Sequence, residues 1–127
     1  MGLTCPQCLE DSFKILSRIE LPPDNRSDEI AVQIVVCSKC GFQGIAVYVE
    51  SRRGSFDNES FIHRGYFVEP DLVRKVQKII DSCPNPNNRR CTCRSHKYFN
   101  KVGENGDWNW SELLDNYQVF EIQFTQS

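Results

Sequence analysis

Cys5-Pro-Gln-Cys8 and Cys37-Ser-Lys-Cys40-Gly41-Phe42 are two C-x-x-C knuckles separated by a segment that reads as a β-hairpin. Each knuckle sets two sulfurs on a tight turn whose backbone N–H groups can point at them, and the hairpin brings the pairs together. Four thiolates so placed make a tetrahedral zinc site with no position left for water, which is the signature of a structural metal. The pattern dictates what holds the chain together and says less about what the chain does.

The 127 residues, 39% of them hydrophobic, suffice for one domain with a modest core. A formal charge of −2 gives no global reason to expect a nucleic-acid binder, so any such role must come from a local patch. No apolar run is long enough to span a bilayer, and Met1-Gly-Leu-Thr-Cys-Pro6 lacks the regions of a signal peptide. Pro6 also stands where a myristoylation motif needs Ser or Thr. The expectation is a soluble, cytoplasmic protein without a membrane partner.

Seven cysteines in such a chain are more plausibly metal ligands than a disulfide framework, and an odd number leaves one thiol over in any disulfide scheme. Beyond the first four stand Cys83, Cys91 and Cys93, the last followed at C-x-C-x-x-H spacing by His96. Seven thiolates and one imidazole fill two tetrahedral sites, so two zinc ions are expected. In this reading Cys83 ends a helix and the Pro/Asn loop folds back to supply the other three ligands. Two alternatives stay open. Cys83 could be a small buried hydrophobe with Cys91 and Cys93 as incidental thiols, or the three could form a redox or iron–sulfur site. C-x-C matches neither thioredoxin nor ferredoxin spacing.

Phe13, Ile15, Ile19 and Leu21 mark a first strand over residues 12–21, and Leu21-Pro-Pro-Asp-Asn-Arg-Ser-Asp28 is a turn by composition. Ile30, Val32, Ile34 and Val36 share one face of a second strand, with Ala31, Gln33 and Val35 on the other. Ile45, Val47 and Val49 mark a third. On CPQC, strand, turn, strand, CSKCGF and strand, residues 5–50 resemble the zinc-ribbon superfamily. The resemblance implies a three-stranded antiparallel sheet with Cys5, Cys8, Cys37 and Cys40 as ligands. Because that superfamily spans transcription factors, polymerase subunits, ribosomal proteins and adaptors, it implies a fold more than a function.

Residues 56–60 read as a polar connector, and residues 61–68 as a short strand or an ordered loop. Glu69-Pro70-Asp71 opens a helix with Leu72, Val73, Val76, Ile79 and Ile80 at helical spacing, ended at Cys83-Pro84-Asn-Pro86. Trp108, Trp110, Leu113 and Leu114 around a Ser111 cap suggest a helical turn, and residues 117–124 alternate as a closing strand. The expected fold class is α+β, a zinc ribbon over 1–51 with residues 52–127 packed on it as one unit.

Arg89, Arg90, Arg94, Lys97 and Lys101 form a basic stretch followed by an acidic tail. With Arg52, Arg53 and Arg64 they are candidate anion or nucleic-acid contacts, and Tyr66, Tyr98 or Phe99 could stack on bases. Such a run is more often a solvated face or a partner for acidic groups. His63, near Asp57 and Glu59, is a weak candidate general base, and the zinc-deaminase pattern is absent. If His96 is not a ligand, a three-thiolate site with an exchangeable water would remain. No catalytic constellation and no small-molecule substrate are therefore expected. The reading favours a small zinc protein that presents a protein-interaction surface, with a nucleic-acid-binding ribbon as the alternative and a zinc-dependent enzyme less favoured.

Overall fold

The computed structural model describes residues 3–24, 28–51, 60–104, 106, 108–110, 114 and 116–122. Its elements are β1 (Phe13–Leu21), β2 (Glu29–Cys37), β3 (Gln43–Ser51), β4 (Ser60–Tyr66), α1 (Pro70–Asp81), α2 (Arg94–Phe99) and β5 (Val119–Glu121). The strands form one open antiparallel sheet in sequence order. The architecture is α+β, and β4 and β5 extend the three strands expected from the sequence to five.

Alternation along β2 puts Ile30, Val32 and Ile34 on one face of the sheet, and all three are buried. They pack with Ile45 and Val47 of β3 and with Val73, Val76 and Ile80 of α1. The α1 sequence suits this place. Pro70 occupies the first turn, where its missing N–H costs nothing, Asp71 faces the positive end of the dipole, and Lys78 lies at the negative end. The apolar positions recur every three or four residues, so one stripe is buried. Ser82 caps the helix, and Pro84 prevents its continuation.

Simple alternation would place Phe13, Ile15, Ile19 and Leu21 together, but the β1–β2 register shifts between Ile15 and Ser17. The extra residue turns Phe13 and Ile15 to the opposite face from Ile19 and Leu21. Ile19 and Leu21 enter the main core, Phe13 joins a smaller cluster with Val35, Ala46 and the first knuckle, and Ile15 is left exposed. Phe42, Phe67 and Phe120 pack around that cluster, with Phe67 and Phe120 centroids 4.7 Å apart. A Cβ at Gly65 would run into the Phe120 ring, so the crossing of β4 and β5 requires a residue without one.

The segment after Cys93, expected as a loop, contains α2. Its first turn starts at Cys93, and Phe99 is fully buried beside Trp110. The closing strand expected over 117–124 is described as the three residues of β5, and residues 123–127 lie outside the described set. The expected Ser111 cap, Leu113 and the connector at 56–59 also lie outside it, whereas Trp108, Trp110 and Leu114 are core residues.

The second face of the sheet carries polar groups as well. His63 Nε2–H donates to the buried Gln33 Oε1 at 2.7 Å, and Tyr48 donates to Glu50 at 2.7 Å. Burial lowers the pKa of the His63 imidazole. Glu29 pairs in register with Glu50 and reaches Glu20, and burial followed by these carboxyl contacts raises its pKa above 4.5. A raised carboxyl pKa costs stability above the folded-state value, and this cost vanishes below the unfolded one. Glu29→Gln is expected to raise the denaturation midpoint at pH 7.5, with the gain shrinking as pH falls towards 4.5. Denaturant titrations across that range check it, and a pH-independent difference would contradict the carboxyl account.

Candidate metal centres

The first centre is built by two turns of the same design. Cys5 N–H bonds to Glu10 carbonyl at 2.9 Å and Leu9 N–H to Cys5 carbonyl at 3.0 Å. In the second knuckle, Cys37 N–H bonds to Phe42 carbonyl at 2.8 Å and Gly41 N–H to Cys37 carbonyl at 3.1 Å. Both turns close through a left-handed residue, Leu9 at φ 64° and Gly41 at φ 80°. Glycine adopts that conformation freely, whereas leucine carries a penalty of about 1–2 kcal/mol. Leu9 is nonetheless 73% exposed, so no burial of its side chain offsets the strain.

Pairing of Phe13 with Cys37, and of Leu3 with Phe13, brings the two turns together. Cys5 and Cys40 sulfurs lie 3.7 Å apart, and Cys8 and Cys37 sulfurs 3.6 Å apart. Zinc–sulfur bonds of about 2.3 Å in a tetrahedron put sulfurs about 3.8 Å apart, so the spacing fits. Gln7 N–H donates to Cys5 and Cys40 N–H to Cys37, each at 3.4 Å, and the Ser12 hydroxyl lies 3.0 Å from Cys37.

Cys83, Cys91, Cys93 and His96 form the second group, their ligand atoms all within 4.8 Å of one another. Cys83 sulfur lies 3.8 Å from Cys91 and 3.3 Å from Cys93, and His96 Nδ1 lies 3.2 Å and 3.5 Å from Cys83 and Cys93. With zinc–nitrogen at about 2.0–2.1 Å, a tetrahedral ion spaces sulfur and nitrogen by about 3.5 Å, so this donor set also fits. His96 Nε2–H donates to the Glu20 carbonyl at 2.9 Å. That bond fixes the tautomer and leaves the Nδ1 lone pair for a metal, the usual support of a ligating histidine.

Glu20 N–H in turn bonds to Pro86 carbonyl at 2.8 Å. Both outward backbone groups of this residue on the edge strand β1 are thus taken by the Cys83–His96 segment, which covers a stretch of open sheet edge. Arg89 adds contacts to Glu20 at 4.0 Å and to Asp28 carbonyl at 3.3 Å. Sequence spacing pointed to the grouping of these four residues but carried no signal of this docking.

The thiols are electrostatically unequal. The Cys40 N–H and the Ser12 hydroxyl draw Cys37 down to about 6. Cys40 accepts the Phe42 N–H, but burial and contacts with Cys37, Cys5 and Cys8 push it up to about 12. In the second group burial raises Cys83 to about 12, while at Cys93 the His96 backbone and ring outweigh burial and bring it down to about 6. A divalent cation removes this conflict by neutralising the crowded sulfurs.

Among the described candidate contact residues, Arg64 stands apart from Arg89, Arg90, Arg94 and Lys97. Arg52 and Arg53 lie outside the described residues. Arg64 pairs on β4 with Val47 and Glu121, about 14 Å in strand spacings from β1, where the Arg89 loop docks. Arg90, Arg94 and Lys97 are exposed, Tyr66 and Phe99 are core residues, and Tyr98 is half-buried. Asp57 and Glu59 lie outside the described set, so His63 is seen with Gln33 as its partner. Comparison with family models, curated proteins and solved structures returns no match.

Cobalt(II) titrated into metal-free protein is expected to saturate its thiolate charge-transfer bands at two equivalents, and at one in Cys91→Ser. Saturation of the wild type at one equivalent would show that the second group does not act as a unit.

Proposed function

We propose that this chain is a zinc protein whose two metal centres are structural and whose activity is recognition by the surface they hold in place. The observation that carries the reading is the completeness of both donor sets. Each supplies four protein ligands, Cys5, Cys8, Cys37 and Cys40 in one and Cys83, Cys91, Cys93 and His96 in the other. A closed tetrahedral zinc has no position for water or substrate, whereas catalytic zinc keeps one open. Thiolate-rich sets favour zinc over hard cations such as magnesium and calcium. The first centre ties the chain start to the end of β2, and the second ties the end of α1 and the start of α2 to the edge of β1.

A protein partner is the favoured class. Leu9 supports it, because an exposed leucine held in a strained turn offers an apolar tip beside the first centre. No helix among the described residues is long and apolar enough to cross a membrane.

Zinc binding contributes about 10–16 kcal/mol in small metal-dependent folds, against a net stability of about 5–15 kcal/mol for a typical domain. Stripping the metal with a strong chelator at neutral pH is therefore expected to abolish the β-sheet circular dichroism signal, and Cys37→Ser is expected not to fold. A metal-free chain that keeps its sheet would overturn the structural reading.

A further inference from the structure

From the start of α1 through the second centre to Lys101, just past α2, the chain carries eight lysines and arginines against Asp71 and Asp81, although its formal charge is −2. The fold gathers these bases in one region, because Cys83 closes the end of α1 and Cys93 caps the start of α2 around the same group of ligand atoms. Some of the charge is used internally. Arg74 pairs with Asp71, Arg89 with Glu20, and Lys101 sits over the Tyr98 ring at 5.9 Å. Lys75, Lys78, Arg90, Arg94 and Lys97 make no ion pair among the described residues.

Between the two helices runs a groove of about 460 Å³ lined by Ile79, Ser82, Arg94, Ser95 and Tyr98. Ser95 Oγ donates to the Ile79 carbonyl and so ties α2 to α1. Helical spacing puts Lys75 and Lys78 on the same side of α1 as Ile79 and Ser82, and Arg94 one turn before Tyr98 on α2. The result is an apolar floor with cationic rims.

We propose that this groove docks an acidic peptide segment of a partner protein. An aliphatic or aromatic side chain of the peptide rests on Ile79 and Tyr98, and its flanking carboxylates meet Arg94 and Lys78. Charge complementarity selects an anionic occupant, and the floor selects between anions. Single-stranded nucleic acid stacks successive bases on a row of open rings. Here Tyr98 is the one aromatic lining the groove, which gives room for one apolar side chain and no row of rings. The proposal rests on the reading of the second centre as structural, since that metal would fix the spacing of the helices.

The test is fluorescence anisotropy on the full, metal-loaded chain. Three labelled probes are used: a glutamate-rich peptide with a central phenylalanine, the same peptide with glutamine for glutamate, and poly(U) RNA. The glutamate peptide is expected to bind, and to lose about tenfold or more in affinity in its glutamine form and against the Lys78→Glu/Arg94→Glu variant. Circular dichroism and metal content on the same variant establish that its fold is intact. Tighter binding of poly(U) than of the peptide would overturn the proposal in favour of a nucleic-acid partner, and equal affinity for both peptides would overturn the charge argument. Metal content separates the two readings. A wild type holding one metal overturns the structural second centre, whereas a two-metal wild type that leaves the glutamate peptide unbound overturns the groove alone.

Discussion

Crowded sulfur is the constraint on which everything else in this molecule depends. Two groups of four donor atoms, each group within 4.8 Å, gather seven thiols and an imidazole into two small volumes. Sulfurs at such distances repel once ionised and gain little from contact when protonated. A cation would relieve that crowding, and the pairing of the elements is what brings the donor atoms together. The β1–β2 pairing delivers the second knuckle to the first, and the end of α1 and the start of α2 meet at the other group.

With metal bound, the two centres would do different mechanical work. The first closes the end of the sheet where the chain begins, next to the phenylalanine cluster that fills the small second core. The second would act through the edge of β1, because a single residue, Glu20, accepts the His96 ring N–H at its carbonyl and donates its own N–H to the Pro86 carbonyl. An edge strand with its backbone groups free invites pairing with other chains. Here part of that edge is covered by a segment with little secondary structure of its own, which metal ligation would hold in place. The same ligation would set the separation of α1 and α2, and with it the basic groove between them.

Much of this was legible in the residues. The C-x-x-C pairs, the alternation of β2 and the Glu69-Pro70-Asp71 helix start are local signals, and each element stands where local rules put it. The misses came from interactions between distant residues. The bulge in β1 leaves Phe13, Ile15, Ile19 and Leu21 in seeming alternation, and only the register against β2 reveals that they divide between two faces. Helix α2 is too short to show a period and owes its place to Cys93, His96 and the buried Phe99. Leu9 gave no sign of a left-handed turn, because that signal is carried by glycine, as at Gly41 in the matching knuckle. The ligands of the second group were readable as a spacing, whereas the hydrogen bond that orients His96 comes from a strand 76 residues earlier.

The central claim is that two resident zinc ions hold this fold, and native mass spectrometry with elemental analysis of the purified wild-type chain tests it most directly. The account predicts two zinc ions per chain, with one retained in His96→Ala. A wild-type chain that is folded with one metal ion or none would contradict it.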